Sequence, residues 1–285
     1  MASDIVITSD STTDLSPELR ERYNISVAPL GITLGDKVYT DGVDITPDDI
    51  YAHHAKTGEL PKTTATNVGD CLDFFKKFTD EGKTVIHFTI SSDMSSTYNN
   101  ACIAASELEN VYVIDTKNLS TGGGLLVVAA AEMLRDGLSA EEIVKKSTEL
   151  IPCVDASFVI DSLEYLYKGG RCSALAMFGA NLLKLKPCIQ VKNGKMDVSK
   201  KYRGKFEDVL KQYITEKAED YSDIVLDRVF ITHAGCDPEV AKNAAELAKK
   251  LAPFKEVFIT RAGCTVSSHC GANTLGILFI RKSPI

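Results

Sequence analysis

Apolar and polar positions in the first half of this chain follow a repeating order: a strand-like run, a turn crowded with hydroxyls, then a helix-like run. Residues 85–90, VIHFTI, carry the β-branched and aromatic mix of a buried strand. Ser91, Ser92, Ser95, Ser96 and Thr97 crowd the turn that follows. Tyr98, Ala101, Cys102, Ala105 and Leu108 then recur at helical spacing on one apolar face. The same order opens the chain, with a strand over 5–8, the turn Ser9-Asp10-Ser11-Thr12-Thr13-Asp14 and a helix over 16–23. It returns at 111–115, a strand leading through Ser120 and Gly122-Gly123-Gly124 into an apolar helix that ends near 134. Repeated strand and helix with short connections predict a parallel sheet. Ligands of such sheets sit beyond the carboxyl ends of the strands, and the turns after Thr8, Ile90 and Asp115 fall at that edge. Between these units, residues 31–39 predict a hairpin turning at Gly35-Asp36. Thr46-Pro47-Asp48-Asp49 marks a helix start, and 60–66 read as a hydroxyl-rich loop before a helix over 68–78.

The second half changes character. A hairpin is predicted over 189–191 and 196–200 about Asn193-Gly194, with strands over 229–233, 257–261 and 276–281. Long helices over 206–218 and 238–251 lie between them. The change falls near 154–158, so the fold class expected is α/β in two domains. Residues 1–155 form the first, around a mainly parallel sheet with the hydroxyl-rich loops at its ligand edge. Residues 156–285 form the second, around a mixed or antiparallel sheet with helices. A cleft between them is a natural small-molecule site.

Composition narrows the functions. A formal net charge of −7 over 285 residues and a pI near 5.3 argue against a nucleic-acid backbone or an anionic membrane as main partner. The longest apolar run, 125–131, stops at Glu132, so no membrane span is expected. The first ten residues, MASDIVITSD, lack a signal-peptide pattern, and the eight cysteines are scattered. A reduced, cytoplasmic protein is therefore expected.

The turn at 91–97 carries the clearest chemistry. A helix N-terminus offers free N–H groups and the positive dipole end to an anion. Capping needs one hydroxyl, and the surplus at 91–97 points to a phosphate or carboxylate site. Gly122-Gly123-Gly124 lacks the Lys-Ser/Thr of a phosphate loop and reads as close packing of a helix on a sheet. Lys168-Gly169-Gly170-Arg171-Cys172-Ser173 either brings a forked cation to an anion or forms a solvated surface turn. His233-x-x-Cys236 and Cys264-x4-His269-Cys270 do not have zinc-site spacing, so no metal is expected. Asp10, Asp14, Asp93 and Asp115 lie near the predicted ligand edge.

These residues together resemble the DegV family. The resemblance runs from Asp10-Ser11-Thr12-Thr13-Asp14-Leu15 through Lys62-Thr63-Thr64 and residues 90–98 to Ile114-Asp115-Thr116 and Ser120-x-Gly122. It continues with Leu163-Glu164-Tyr165-Leu166-Tyr167-Lys168-Gly169-Gly170-Arg171, the most specific match, and closes on His269-x-Gly271 with Leu275-Gly276. The resemblance implies a long-chain fatty acid as bound ligand and no cofactor. Its carboxylate would meet the hydroxyls of Thr63 and Ser95 with the Ser96 N–H close by. It also implies a non-catalytic subunit that presents fatty acid to a separate fatty-acid kinase catalytic subunit for acyl-phosphate formation. Arg171 and His269 match positions tied to phosphoryl transfer or kinase interaction. Thr64-Ala65-Thr66, Ser96 and Cys270 depart from the family pattern. Phe88, Phe158, Ile160, Leu166, Met177, Phe178, Leu182 and Phe279 are candidates to line the acyl channel. Two other readings stay open: a hydrolase or acyl transferase using Ser95 or Cys270 with His269, and a module that binds a phosphorylated small molecule.

Overall fold

A computed structural model describes residues 4–172 and 185–285. Ser173, Met177, Phe178 and Leu182 lie outside the described residues. The chain opens with strand β1 (Ile5–Asp10), a 3-10 turn at Ser11–Thr13, helix α1 (Pro17–Arg22) and strand β2 (Ser26–Ala28). Strands β3 (Gly31–Leu34) and β4 (Lys37–Thr40) make the hairpin expected at Gly35-Asp36. Helix α2 (Pro47–Thr57) begins with a reciprocal cap between Thr46 and Asp49. Next come β5 (Lys62–Thr64), α3 (Val68–Thr79), β6 (Thr84–Thr89), α4 (Thr97–Ser106) and β7 (Val111–Asp115). Helices α5 (Thr121–Arg135) and α6 (Ala140–Leu150) complete this half.

Strand β8 (Val154–Ile160) begins the second sheet, and the short helix α7 (Glu164–Gly169) follows. Strands β9 (Lys186–Lys192) and β10 (Lys195–Tyr202) turn at Asn193 and Gly194, both at positive φ as a tight hairpin requires. The chain ends with α8 (Phe206–Ala218), β11 (Arg228–Ala234), α9 (Pro238–Leu251), β12 (Glu256–Arg261), α10 (Cys264–Cys270) and β13 (Thr274–Ile280).

The first sheet is parallel throughout, in the order β2-β1-β6-β7. The second is mixed, in the order β10-β9-β8-β13-β11-β12, with β11 and β12 parallel and the other pairs antiparallel. A third sheet, β4-β3-β5, turns part of the expected loop at 60–66 into a strand. Three residues are too few for a period-2 pattern to declare itself, and Thr63 is set by its pairing with Ile32.

Helix α5 joins the two large sheets. Its residues 121–128 are all buried, with β1 and β6 on one side and β8 and β13 on the other. One apolar cluster therefore runs from Ile7 and Ile86 through Leu125 to Phe158 and Ile189. The triple glycine makes this contact close. A Cβ on Gly122 would fall 2.0 Å from Asn118 Oδ1, and one on Gly124 2.9 Å from the Thr13 carbonyl. The packing reading of that motif holds. Among the described residues no helix is long and apolar enough to cross a membrane.

Candidate functional site

The carboxyl ends of β1 and β6 are tied together by Asp10, whose carboxylate accepts from the Thr12 and Ile90 N–H groups at 3.0 and 2.7 Å. Beyond that edge lies α10, a short helix that arrives from the far end of the chain. Two buried carboxylates hold its start. Asp41 accepts from the Cys264 and Thr265 N–H groups at 2.8 and 3.1 Å, from the Thr265 hydroxyl at 2.6 Å and from Ser11 Oγ at 2.9 Å. Asp14 accepts from the Gly263 N–H at 2.8 Å and from the Ser120 hydroxyl. Side-chain oxygens that accept from the free N–H groups of a helix start are favourable, and these bonds fix the helix rotation. Thr265, Val266, His269 and Cys270 then face one cavity of about 420 Å³.

Thr63, Ser95, Ser96, Arg171 and His269 all line that cavity, although the sequence scatters them over two hundred positions. Thr63 comes from β5 and Ser95 and Ser96 from the β6–α4 turn. Arg171 follows α7, and His269 sits on α10. Leu30, Ile90, Met94, Leu119 and Met196 supply apolar wall. Asn100 also lines it and donates to the Thr66 carbonyl at 2.8 Å, tying α4 to the loop after β5.

The hydroxyls of the β6–α4 turn divide by task. Ser91 donates to the Gly194 carbonyl at 2.7 Å and so docks the β9–β10 turn. Ser92 accepts from Lys117 Nζ at 2.8 Å. Ser95 accepts from the Thr97 N–H at 3.2 Å and lies 2.9 Å from Thr97 Oγ1. Ser96 is exposed at the cavity. The surplus of hydroxyls thus serves docking and capping as well as the cavity, which the count alone did not reveal. Asp93 and Asp115 flank Lys117 at 3.2 and 3.0 Å and do not line the cavity.

Thr63 Oγ1 lies 2.9 Å from His269 Nε2. Burial, aided by the Arg171 charge, pushes the His269 pKa down to about 4, so the ring is neutral at physiological pH. Arg171 is exposed and donates to the Gly169 carbonyl at 2.8 Å. Cys270 is buried, and burial pushes its thiol up to about 12. It behaves as a small apolar wall residue rather than a nucleophile. His269 bonds Thr63 and not Ser95, so neither pair expected of a Ser–His or Cys–His enzyme is in place.

A smaller chamber of about 30 Å³ adjoins the cavity, sharing Leu119, Val266 and Cys270 with it. Three hydroxyl residues border this chamber, yet each is engaged. Ser120 donates to Asp14, Thr232 pairs with Thr121 and Thr260, and Thr274 donates to the Cys270 carbonyl at 3.0 Å. What faces inward is apolar. Phe158 lines this chamber. Phe88, Ile160 and Leu166 pack in the core around α5, and Phe279 packs under α8 and α9. On β13 alternate residues face opposite sides, so Gly276 and Leu278 reach the chamber and Phe279 cannot.

The cysteines suspected of metal binding are engaged with protein. Cys236 Sγ donates to the Thr274 carbonyl and Cys264 Sγ to the Ile45 carbonyl, both at 3.3 Å. Among the described residues no group of three or more His, Cys, Asp or Glu side chains is placed to hold a metal ion. Asp41, Asn100, Leu119, Thr265 and Val266 were not singled out by sequence. Only the lone Asp41-Gly42 turn gives any local hint of its residue.

Residues 4–282 match the family model described as "Uncharacterised protein, DegV family". A DegV domain-containing protein of Caldanaerobacter subterraneus subsp. tengcongensis is 32% identical over 287 aligned positions, covering 98% of this chain and 99% of the relative. Among solved structures, a DegV family protein from Thermus thermophilus, described for its fatty acid binding, superposes with a TM-score of 0.88 at 28% identity, covering 97% of this chain and 99% of that one. A stearic acid-binding protein from Eubacterium ventriosum superposes with a TM-score of 0.85 at 29% identity, covering 97% of this chain and 98% of that one.

Proposed function

The chain belongs to the DegV family, and from that premise we propose that it binds a long-chain fatty acid in the cavity beneath α10. The carboxylate would take hydrogen bonds from Thr63 Oγ1 and from the Ser95 and Ser96 groups at the start of α4. The acyl chain would run past Leu119, Val266 and Cys270 into the apolar chamber against Phe158. The observation that carries this reading is the junction itself: neutral donors line one cavity, and an apolar chamber shares three of its wall residues. A carboxylate held by neutral hydroxyls needs little desolvation of protein charge, whereas a buried lysine or arginine would incur more. A phosphorylated metabolite would have no use for the chamber.

The role beyond binding is to hand the fatty acid to a separate kinase catalytic subunit that forms acyl phosphate. Exposed Arg171 is suited to meet that partner or the transferring phosphoryl group, and neutral His269 to act on the same step through the Thr63 hydroxyl, 2.9 Å from its Nε2. The division of labour places the head-group loops in residues 1–155 and the completion of the lipid site in 156–285, in a cytoplasmic protein. Native mass spectrometry of freshly purified protein tests the binding claim. One acyl chain should be bound and should leave on organic extraction. Recovery of a phosphosugar or nucleotide instead would establish the phosphometabolite reading.

A further inference from the structure

Gly169 and His269 meet in a contact that lies outside the binding chemistry so far described. A Cβ built on Gly169 would stand 2.5 Å from His269 Nδ1 and 3.4 Å from its Cε1. The absent side chain therefore lets the ring edge lie against the end of α7. Nδ1 is buried there without a hydrogen-bond partner among the described residues, while Nε2 is 2.9 Å from Thr63 Oγ1. A neutral imidazole carries its proton on one of its two nitrogens. On Nδ1 the proton would be a buried donor facing carbon, and orphaned N–H groups are rarer and costlier than bare acceptors set against a Cα–H. The asymmetry puts the proton on Nε2. Nε2–H then donates to Thr63 Oγ1, and the Thr63 hydroxyl hydrogen is left to point into the cavity. In the opposite tautomer Thr63 would donate to the ring and offer an anion only lone pairs.

We propose that Gly169 is a positioning residue: by leaving room for His269 Nδ1 it holds the imidazole as its Nε2–H tautomer and so makes Thr63 a hydrogen-bond donor toward an anionic head group. The backbone that does this is set by the turn at Gly170, which closes α7 at φ 69°. Gly169 is helical, where alanine is the better helix former, so the penalty of Gly169→Ala comes from the ring contact and not from the backbone. The tautomer stands apart from the ligand's identity; only the head-group consequence rests on the fatty-acid reading.

The test is 15N NMR of the histidine rings in the full chain, with His269 assigned through His269→Gln, alongside palmitate titration. Wild-type protein should show Nε2 protonated and Nδ1 bare from about pH 5 to 8. In Gly169→Ala the ring signals should move toward a mixture of tautomers. Their midpoint should climb from about 4 toward the ordinary 6.5, and palmitate affinity should fall about tenfold. A wild-type proton on Nδ1 overturns the proposal, and does so even if the variant fails to fold. Unchanged ring signals or unchanged affinity in a folded Gly169→Ala overturn it as well. Wild-type protein with Nε2–H that takes up no palmitate leaves the tautomer standing and refutes the fatty-acid reading instead.

Discussion

Replacing Thr63 by valine keeps the branched shape of the side chain and removes its hydroxyl. In the proposed complex that hydroxyl donates to a charged carboxylate, a bond worth about 1.5–3 kcal/mol, so affinity for a long-chain fatty acid should fall roughly ten- to 150-fold. Stability should change little. Thr63 is half-buried, and its hydrogen bond to His269 Nε2 borders a cavity in which water can replace it. Ser95→Ala gives a contrasting signature. Ser95 also accepts the Thr97 N–H at 3.2 Å at the start of α4, so this variant should lose affinity and about 1 kcal/mol of stability together. Both effects are measured on delipidated protein, by calorimetric titration with fatty acid and by thermal unfolding. Full affinity in Thr63→Val would refute the placement of the head group.

Arg171→Ala should bind fatty acid as the wild type does. Acyl-phosphate formation with kinase subunit and ATP should drop about a hundredfold or more in a coupled assay. Asp41→Ala removes the acceptor for the Cys264 and Thr265 N–H groups. It should destabilise the protein by about 2–5 kcal/mol in chemical denaturation and loosen the wall that carries His269. Burial raises the Asp14 pKa to about 8 from an ordinary 3.8, so the folded state favours its protonated form. The stability this confers is full below pH 3.8 and is lost as pH rises through 8. About 1.4 kcal/mol should disappear between pH 7 and 9, and Asp14→Asn should remove that alkaline slope.

Elements with sustained periodicity were legible from sequence. Helices α8 and α9 and the hairpin at Asn193-Gly194 fall where the pattern of apolar positions and turn residues puts them. So does the repeated strand–turn–helix order of the parallel sheet. Ser95 and Ser96 stood out in their hydroxyl-rich turn and Arg171 in its glycine-rich one, but only motif resemblance joined them to Thr63 and His269, because no local rule relates positions 206 apart. What stayed hidden depends on tertiary placement. Asp41 caps a helix more than two hundred residues away, and nothing in its own neighbourhood announces that partner. Phe279 looks as apolar as Phe158, yet strand alternation sends it to the opposite side of the second sheet. The hydroxyls of Ser91 and Ser92 resemble that of Ser96 in sequence but are taken up by the Gly194 carbonyl and Lys117.

A crystal structure of the protein with palmitate bound tests the central claim most directly. The account predicts density for a carboxylate within hydrogen-bond distance of Thr63 Oγ1 and of the Ser95 and Ser96 groups, with the acyl chain passing Leu119, Val266 and Cys270. A fatty acid bound instead in the groove between α8 and α9, lined by Leu210, Ile214, Val240 and Leu247, would contradict it. So would a carboxylate resting on Arg171 with the Thr63 and Ser95 hydroxyls unengaged.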